Sequence, residues 1–146
     1  MNETQRNIIT GEILDCCMEV HKNLGPGLME STYEACLMRE FGLRGISAKN
    51  QVVLPIKYKG ISLEQGYKID ILIEEEFIIE LKSVEAILPV HKAQLITYLK
   101  LLDKRVGFLV NFNVSLLKNG FQRIIQGYDD KELSNNIVAE QEENFE

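Results

Sequence analysis

A chain of 146 residues that is 45% apolar and 26% charged has the length of one domain and the composition of a globular fold, which excludes collagenous, low-complexity and membrane-embedded classes. The formal charge of −6 argues against a polyanionic partner until its distribution is read. Seven of 22 acidic residues lie from Asp129 to Glu146 and only Lys131 of 16 basic residues does, so residues 1–128 hold 15 of each: a neutral single domain, then an acidic, frayed tail over 129–146.

From about Thr4 to Leu24, Ile9, Ile13, Cys16, Val20 and Leu24 recur at spacings of three and four, which predicts a first helix. Its start lacks the charged and apolar segments of a signal peptide, and no later segment reaches the length of a membrane span, so a cytoplasmic location is expected. Cys16, Cys17 and Cys36 are odd in number, without metal-type spacing, and are expected to be reduced and buried. Gly25-Pro26-Gly27 breaks the chain before a second helix, about Met29 to Phe41, with Tyr33, Leu37 and Phe41 on one face.

Val52, Leu54, Ile56 and Tyr58 alternate as one strand does, with Lys59-Gly60 as its turn. Tyr67–Ile73 and Phe77–Ser83 are rich in β-branched and aromatic residues and flank Glu74-Glu75-Glu76, which predicts a hairpin. Pro89 suits a first helical turn, and Ala93 to Asp103 continues a third helix. Val106–Phe112 reads as a central strand and Phe121–Ile125 as an edge strand. The order is α-α-β-β-β-α-β-β, an α/β fold with a mixed sheet flanked by helices.

A hairpin centred on Glu75 sets Asp70 opposite Glu80, with Cβ atoms roughly 5 Å apart, a placement that repels two like charges. Lys82 follows Glu80 by two and shares its face, and Lys68 would oppose Lys82. Ile69, Ile71 and Ile73 then join Phe77, Ile79 and Leu81 on the other face, which becomes the core. The simplest reading of the charged face is a set of surface ion pairs, Asp70 with Lys82 and Glu80 with Lys68. Leu72 and Ile78 also point there, however, so the face is not simply solvated. Paired carboxylates in such a place suit a hard cation such as Mg²⁺ or Mn²⁺.

Asp70 followed by Glu80-Leu81-Lys82 resembles the D…ExK signature of the PD-(D/E)XK nuclease superfamily, with Ile69 where that name has proline. Gly27-Leu-Met-Glu30-Ser-Thr-Tyr33, preceded by His21-Lys-Asn-Leu-Gly-Pro, resembles the name motif of the GxxExxY family, and Gln94-Leu-Ile-Thr-Tyr98 resembles the QxxxY motif of RecB-like nucleases. The resemblance runs from about residue 8 to 125. It implies a restriction-endonuclease-like core and a Mg²⁺- or Mn²⁺-dependent nuclease, acting on DNA more readily than RNA.

By the same resemblance, Asp70 and Glu80 would ligate the metal, with the carbonyl of Leu81 as a further ligand. Lys82 would stabilise transition-state charge or act as general base, and Glu30 would be a third acid. Glu30 also suits a helix N-terminus for its dipole alone. Gln94, Tyr98 and Tyr33 would border the substrate, although Tyr33 and Tyr98 also have the spacing of core residues. His91 reads as a first-turn surface residue and His21 as a helix-end residue, neither spaced for zinc. The alternatives are a non-catalytic nucleic-acid-binding or protein-interaction module on the same fold, and a hydrolase of a smaller phosphodiester. Self-association into a homo-oligomer, or a partner, would gather scattered bases such as Lys57, Lys59, Lys92, Lys100, Lys104, Arg105 and Lys118 into one groove.

Overall fold

In the computed structural model, which describes residues 1–127, two helices open the chain. Helix α1 spans Glu3–Leu24 and begins with a capping box, Asn2 accepting the Gln5 amide while Gln5 accepts that of Asn2. Its buried stripe is Ile13, Cys16, Cys17, Val20 and His21; Leu24, expected in that stripe, is exposed. Helix α2, Glu30–Leu43, buries Tyr33, Leu37 and Phe41 as predicted. All three cysteines are free thiols, two of them buried, and burial pushes Cys16 up to about 11 and Cys17 higher still.

Pro55 divides what the apolar alternation predicts as one strand. Strand β1 (Ala48–Val53) stops short of it, and the chain resumes as β2 (Ile56–Tyr58), which pairs with an unpredicted strand, β3 (Ile61–Leu63), in a separate two-stranded sheet. Proline brings no N–H to a ladder and fixes its own φ, so the strand cannot run through. Lys59 and Gly60 turn this small hairpin with φ of 43° and 87°, the left-handed region that tight hairpins require.

Strands β4 (Lys68–Ile73) and β5 (Phe77–Lys82) form the predicted hairpin, with Ile71 opposite Ile79, Leu72 opposite Ile78 and Ile73 opposite Phe77. This is the register centred on Glu75. Helix α3 (Pro89–Leu101) then carries the chain across one face to β6 (Val106–Asn111), parallel to β5, and β7 (Phe121–Ile125) closes the edge. The main sheet runs β1-β4-β5-β6-β7, antiparallel except at β5–β6. The expected α/β architecture, a mixed sheet flanked by helices, is the one observed; the residues of the acidic tail lie outside the described ones.

The sheet has a core on each face. Against α1 and α2 lie Ile71, Ile73, Phe77, Ile79, Leu81, Phe108 and Val110; against α3 lie Ile69, Leu72, Ile78, Leu109 and Ile124, packed on Leu95, Tyr98 and Leu99. Each such side chain contributes roughly 1.5–3 kcal/mol by leaving water. A Cβ on Gly107 would come within 3.0 Å of Leu95, so β6 and α3 sit too close for any larger residue there without movement of that leucine. Among the described residues no helix is long and apolar enough to cross a membrane.

Candidate metal centre

The alternation of β4 breaks at Asp70. Strand β1 pairs Asn50 with Ile71 and Val52 with Ile69, skipping Asp70 and Gln51, whose φ is 51°; the pairing with β5 begins only at Ile71. A non-glycine residue at positive φ interrupts the pleat. Ile69 therefore does not stay with Ile71 and Ile73 as predicted but joins the core beneath α3.

Carboxylates fill the gap that the broken ladder leaves. The Asp70 amide donates to Glu80 Oε1 at 3.2 Å, and the Leu81 amide donates to Asp70 Oδ2 at 2.8 Å. Backbone amides removed from water need an acceptor, and here each acid serves the opposite strand. Glu80 is only 5% exposed and Asp70 half-buried.

The predicted ion pairs are not formed. Among the described residues no lysine or arginine lies within 4.0 Å of either carboxylate; Lys68 is exposed opposite Val53, and Lys82, half-buried, attracts Glu80 only from farther away. Burial first, then the negative charge of Asp70, raises Glu80 to about 8. Burial also raises Asp70, opposed by the Leu81 amide and reinforced by Glu34 and then Glu30. With no described basic group within 4.0 Å, the two acids raise each other's cost of ionisation, and Glu80 is the one pushed furthest toward its protonated form.

Other predicted residues surround this pair unevenly. Glu30 opens α2 and accepts the Ser83 amide at 3.3 Å, while Ser83 Oγ donates to the Leu28 carbonyl at 2.6 Å; together they fasten the helix start to the end of β5. Gln94 donates to the Tyr98 hydroxyl at 3.0 Å on α3, and the charges of Glu80 and Asp70 help to raise the Tyr98 phenol after burial does. Leu81 sends its side chain into the core under α1 and α2.

Tyr33 is engaged elsewhere. It is buried, stacked on Phe112 with ring centroids 4.3 Å apart, and its hydroxyl donates to the Gly25 carbonyl and accepts the Leu28 amide. That closes the glycine-rich link between α1 and α2. His91 Nδ1 accepts the Leu88 amide, a first-turn role. His21 is more than a helix-end residue: it is buried, and Nε2 meets the Val114 carbonyl at 2.8 Å, so that nitrogen carries the proton.

Three residues near the pair escaped the sequence reading. Glu34 accepts from Gln51 at 2.6 Å and from Asn50 at 3.2 Å, and acts on Asp70 more strongly than Glu30 does. Its position one turn after Glu30 was the available signal. Gln51 also reaches toward Asp70 Oδ1 at 3.5 Å, which no local pattern could announce. Asn111, buried beside Lys82 on β6, bonds both the amide and carbonyl of Val84 and so holds the end of β5.

The donor set suits a hard cation with few protein ligands. Among the described residues no cluster of three or more His, Cys, Asp or Glu is placed to cage an ion, so this chain offers two adjacent carboxylates. Magnesium-type sites are commonly held by one or two carboxylates, with water and substrate phosphate completing the shell. Each acid gives one oxygen to a backbone amide, Gln51 reaches toward the second oxygen of Asp70 at 3.5 Å, and a cation would relieve the repulsion between the two charges.

A search of curated proteins and a search of solved structures each found no match. A family model described as the PD-(D/E)XK nuclease superfamily matches residues 7–124, a span that includes α2, the acid pair and α3. With this match over most of its length, the chain belongs to the PD-(D/E)XK nuclease superfamily.

Proposed function

We propose that this chain is a Mg²⁺- or Mn²⁺-dependent nuclease, acting on DNA in preference to RNA and belonging to the GxxExxY, RecB-like branch of its superfamily. The observation that carries the reading is the buried pair Asp70 and Glu80, cross-bonded to opposite strands and without a basic partner. Asp70, Glu80 and the Leu81 carbonyl would hold the ion, with Glu30 and Glu34 adding negative charge around it. When bound, the ion would polarise the scissile phosphate and lower the pKa of an attacking water.

The chain's own residues do the rest. Lys82 lies two residues beyond Glu80 on β5, where its ammonium stabilises charge gathering on the phosphate oxygens or takes part in activating the water. Gln94 and Tyr98, bonded to each other on rigid α3, orient the substrate beside the acids. A cleavage assay over single- and double-stranded DNA and RNA, with each metal and with chelator, tests the proposal. Metal-dependent cutting, lost in Asp70→Asn, is expected. A folded protein that cuts none of these would instead be a binding module built on the nuclease fold.

A further inference from the structure

The short hairpin created by Pro55 is joined to the end of the main sheet from which the acid pair projects. It leaves β1 after Val53 and rejoins β4 at Lys68, the end of the sheet that also carries Asp70 and the last residue of β5, Lys82. Between it and α3 lies a cleft of about 430 Å³, with Ile56 and Tyr67 on one wall and Val90, Gln94, Tyr98 and Leu101 on the other. Tyr98, which packs against the strands of the acid pair in the core beneath α3, borders this cleft too.

The lining is apolar and aromatic, and the hairpin that supplies Ile56 also carries an exposed tyrosine and exposed bases. Tyr58 is 59% exposed, Tyr67 44% and Val90 63%. From Ile56 to Lys68 the chain carries Lys57, Lys59 and Lys68 against Glu64 alone, a positive segment in a chain of charge −6. All three lysines are exposed, and Lys59 Nζ lies 5.4 Å from the centre of the Tyr58 ring. Aromatic rings on which bases stack, beside ammonium groups that follow phosphates, are what proteins use to hold single strands. A continuous duplex keeps its base faces inside the stack; it could meet the lysines but not fill an apolar cleft.

We propose that this cleft seats unpaired nucleotides of a single strand leading to Asp70 and Glu80, with Tyr67 and Tyr58 stacking on bases and Lys57, Lys59 and Lys68 meeting phosphates. The inference rests on the nuclease reading and names its substrate: a single strand or an unpaired end, not continuous duplex.

The test is fluorescence anisotropy of a labelled oligothymidylate, and of the same strand paired with oligoadenylate, titrated with the full chain in chelator so that no cleavage intrudes. The single strand should bind at least about tenfold more tightly than the duplex, and Tyr67→Ala should weaken it by roughly 5- to 100-fold. Tyr67→Phe should retain binding. Lys57→Gln with Lys59→Gln, on an exposed hairpin, should reduce the slope of log affinity against log salt by about 1.4. Equal or tighter duplex binding, or unchanged affinity in Tyr67→Ala, overturns the proposal. So does sedimentation showing a dimer that Tyr67→Ala dissociates while no oligonucleotide binds, because the patch then belongs to a second copy. Binding that behaves as expected in a protein that never cuts would overturn the nuclease reading and leave this one standing; cutting indifferent to Tyr67 would do the reverse.

Discussion

Glu80 accepts the amide proton of Asp70 at 3.2 Å while Asp70 accepts that of Leu81 at 2.8 Å, so each acid is fixed by the strand opposite its own. Rotation of either carboxylate would abandon a backbone amide, which makes the pair rigid before any ligand arrives. That rigidity comes from a fault in the sheet, the break in pairing at Asp70 and Gln51.

The same pair sets a pH dependence. Glu80 is raised to about 8 in the folded chain from an ordinary value of 4.5, so the folded state holds a proton that the unfolded state has released. That contribution to stability is fully present below about 4.5 and is lost as the pH rises through about 8. Metal-free protein should therefore become less stable between pH 5 and 8, by about 1–4 kcal/mol from this group. Glu80→Gln should flatten the dependence, as read by urea denaturation across that range in chelator.

Divalent metal should reverse the trend. An ion bound only by the folded chain stabilises it by mass action, about 2.7 kcal/mol at a hundred times Kd. Because an ion must displace the proton that the raised Glu80 holds, Mn²⁺ should bind more tightly at pH 8 than at pH 6, by up to roughly tenfold per unit. Thermal unfolding with and without Mn²⁺ at both pH values checks this.

Glu34, absent from the motifs, should matter for the ion. Its charge acts on Asp70, and it holds Gln51 at the break in β1. Glu34→Gln should weaken Mn²⁺ binding by about tenfold, in line with residues that support ligands without touching the metal. Calorimetric titration against the parent chain would show it.

Asn111 offers a test of how the end of β5 is held. Its side chain bonds the Val84 amide at 3.1 Å, the Val84 carbonyl at 3.0 Å and the Asn113 amide at 3.2 Å. Asn111→Ala would leave buried groups unpaired and should destabilise the fold by about 2–3 kcal/mol, measured by chemical denaturation.

The hairpin register was readable because the apolar sets of β4 and β5 tolerate only one alignment, and Ile71 indeed faces Ile79. The position of Ile69 was not, because a period of two assumes an unbroken pleat, and nothing near Gln51 announces its φ of 51°. Pro55 could have warned that Val52–Tyr58 is no single strand. The missing ion pairs have a different cause: pairing of β4 with β5 begins at Ile71, so Lys68 never comes opposite Lys82. Glu30, Gln94 and Tyr98 are candidates that motifs single out, whereas Glu34, Gln51 and Asn111 meet their partners only through the tertiary fold.

The central claim separates two jobs on one strand, ion binding by Glu80 and transition-state stabilisation by Lys82. Its most direct measurement pairs calorimetric titration of Mn²⁺ with single-turnover cleavage of DNA, in the parent chain, Glu80→Ala and Lys82→Ala. Removal of a group that acts only in the transition state lowers turnover without loosening the ground state. Lys82→Ala should keep Mn²⁺ affinity within about threefold while cleavage falls by at least about 100-fold; Glu80→Ala should lose both. Cleavage that survives in Lys82→Ala, or Mn²⁺ binding that survives in Glu80→Ala, would contradict the account.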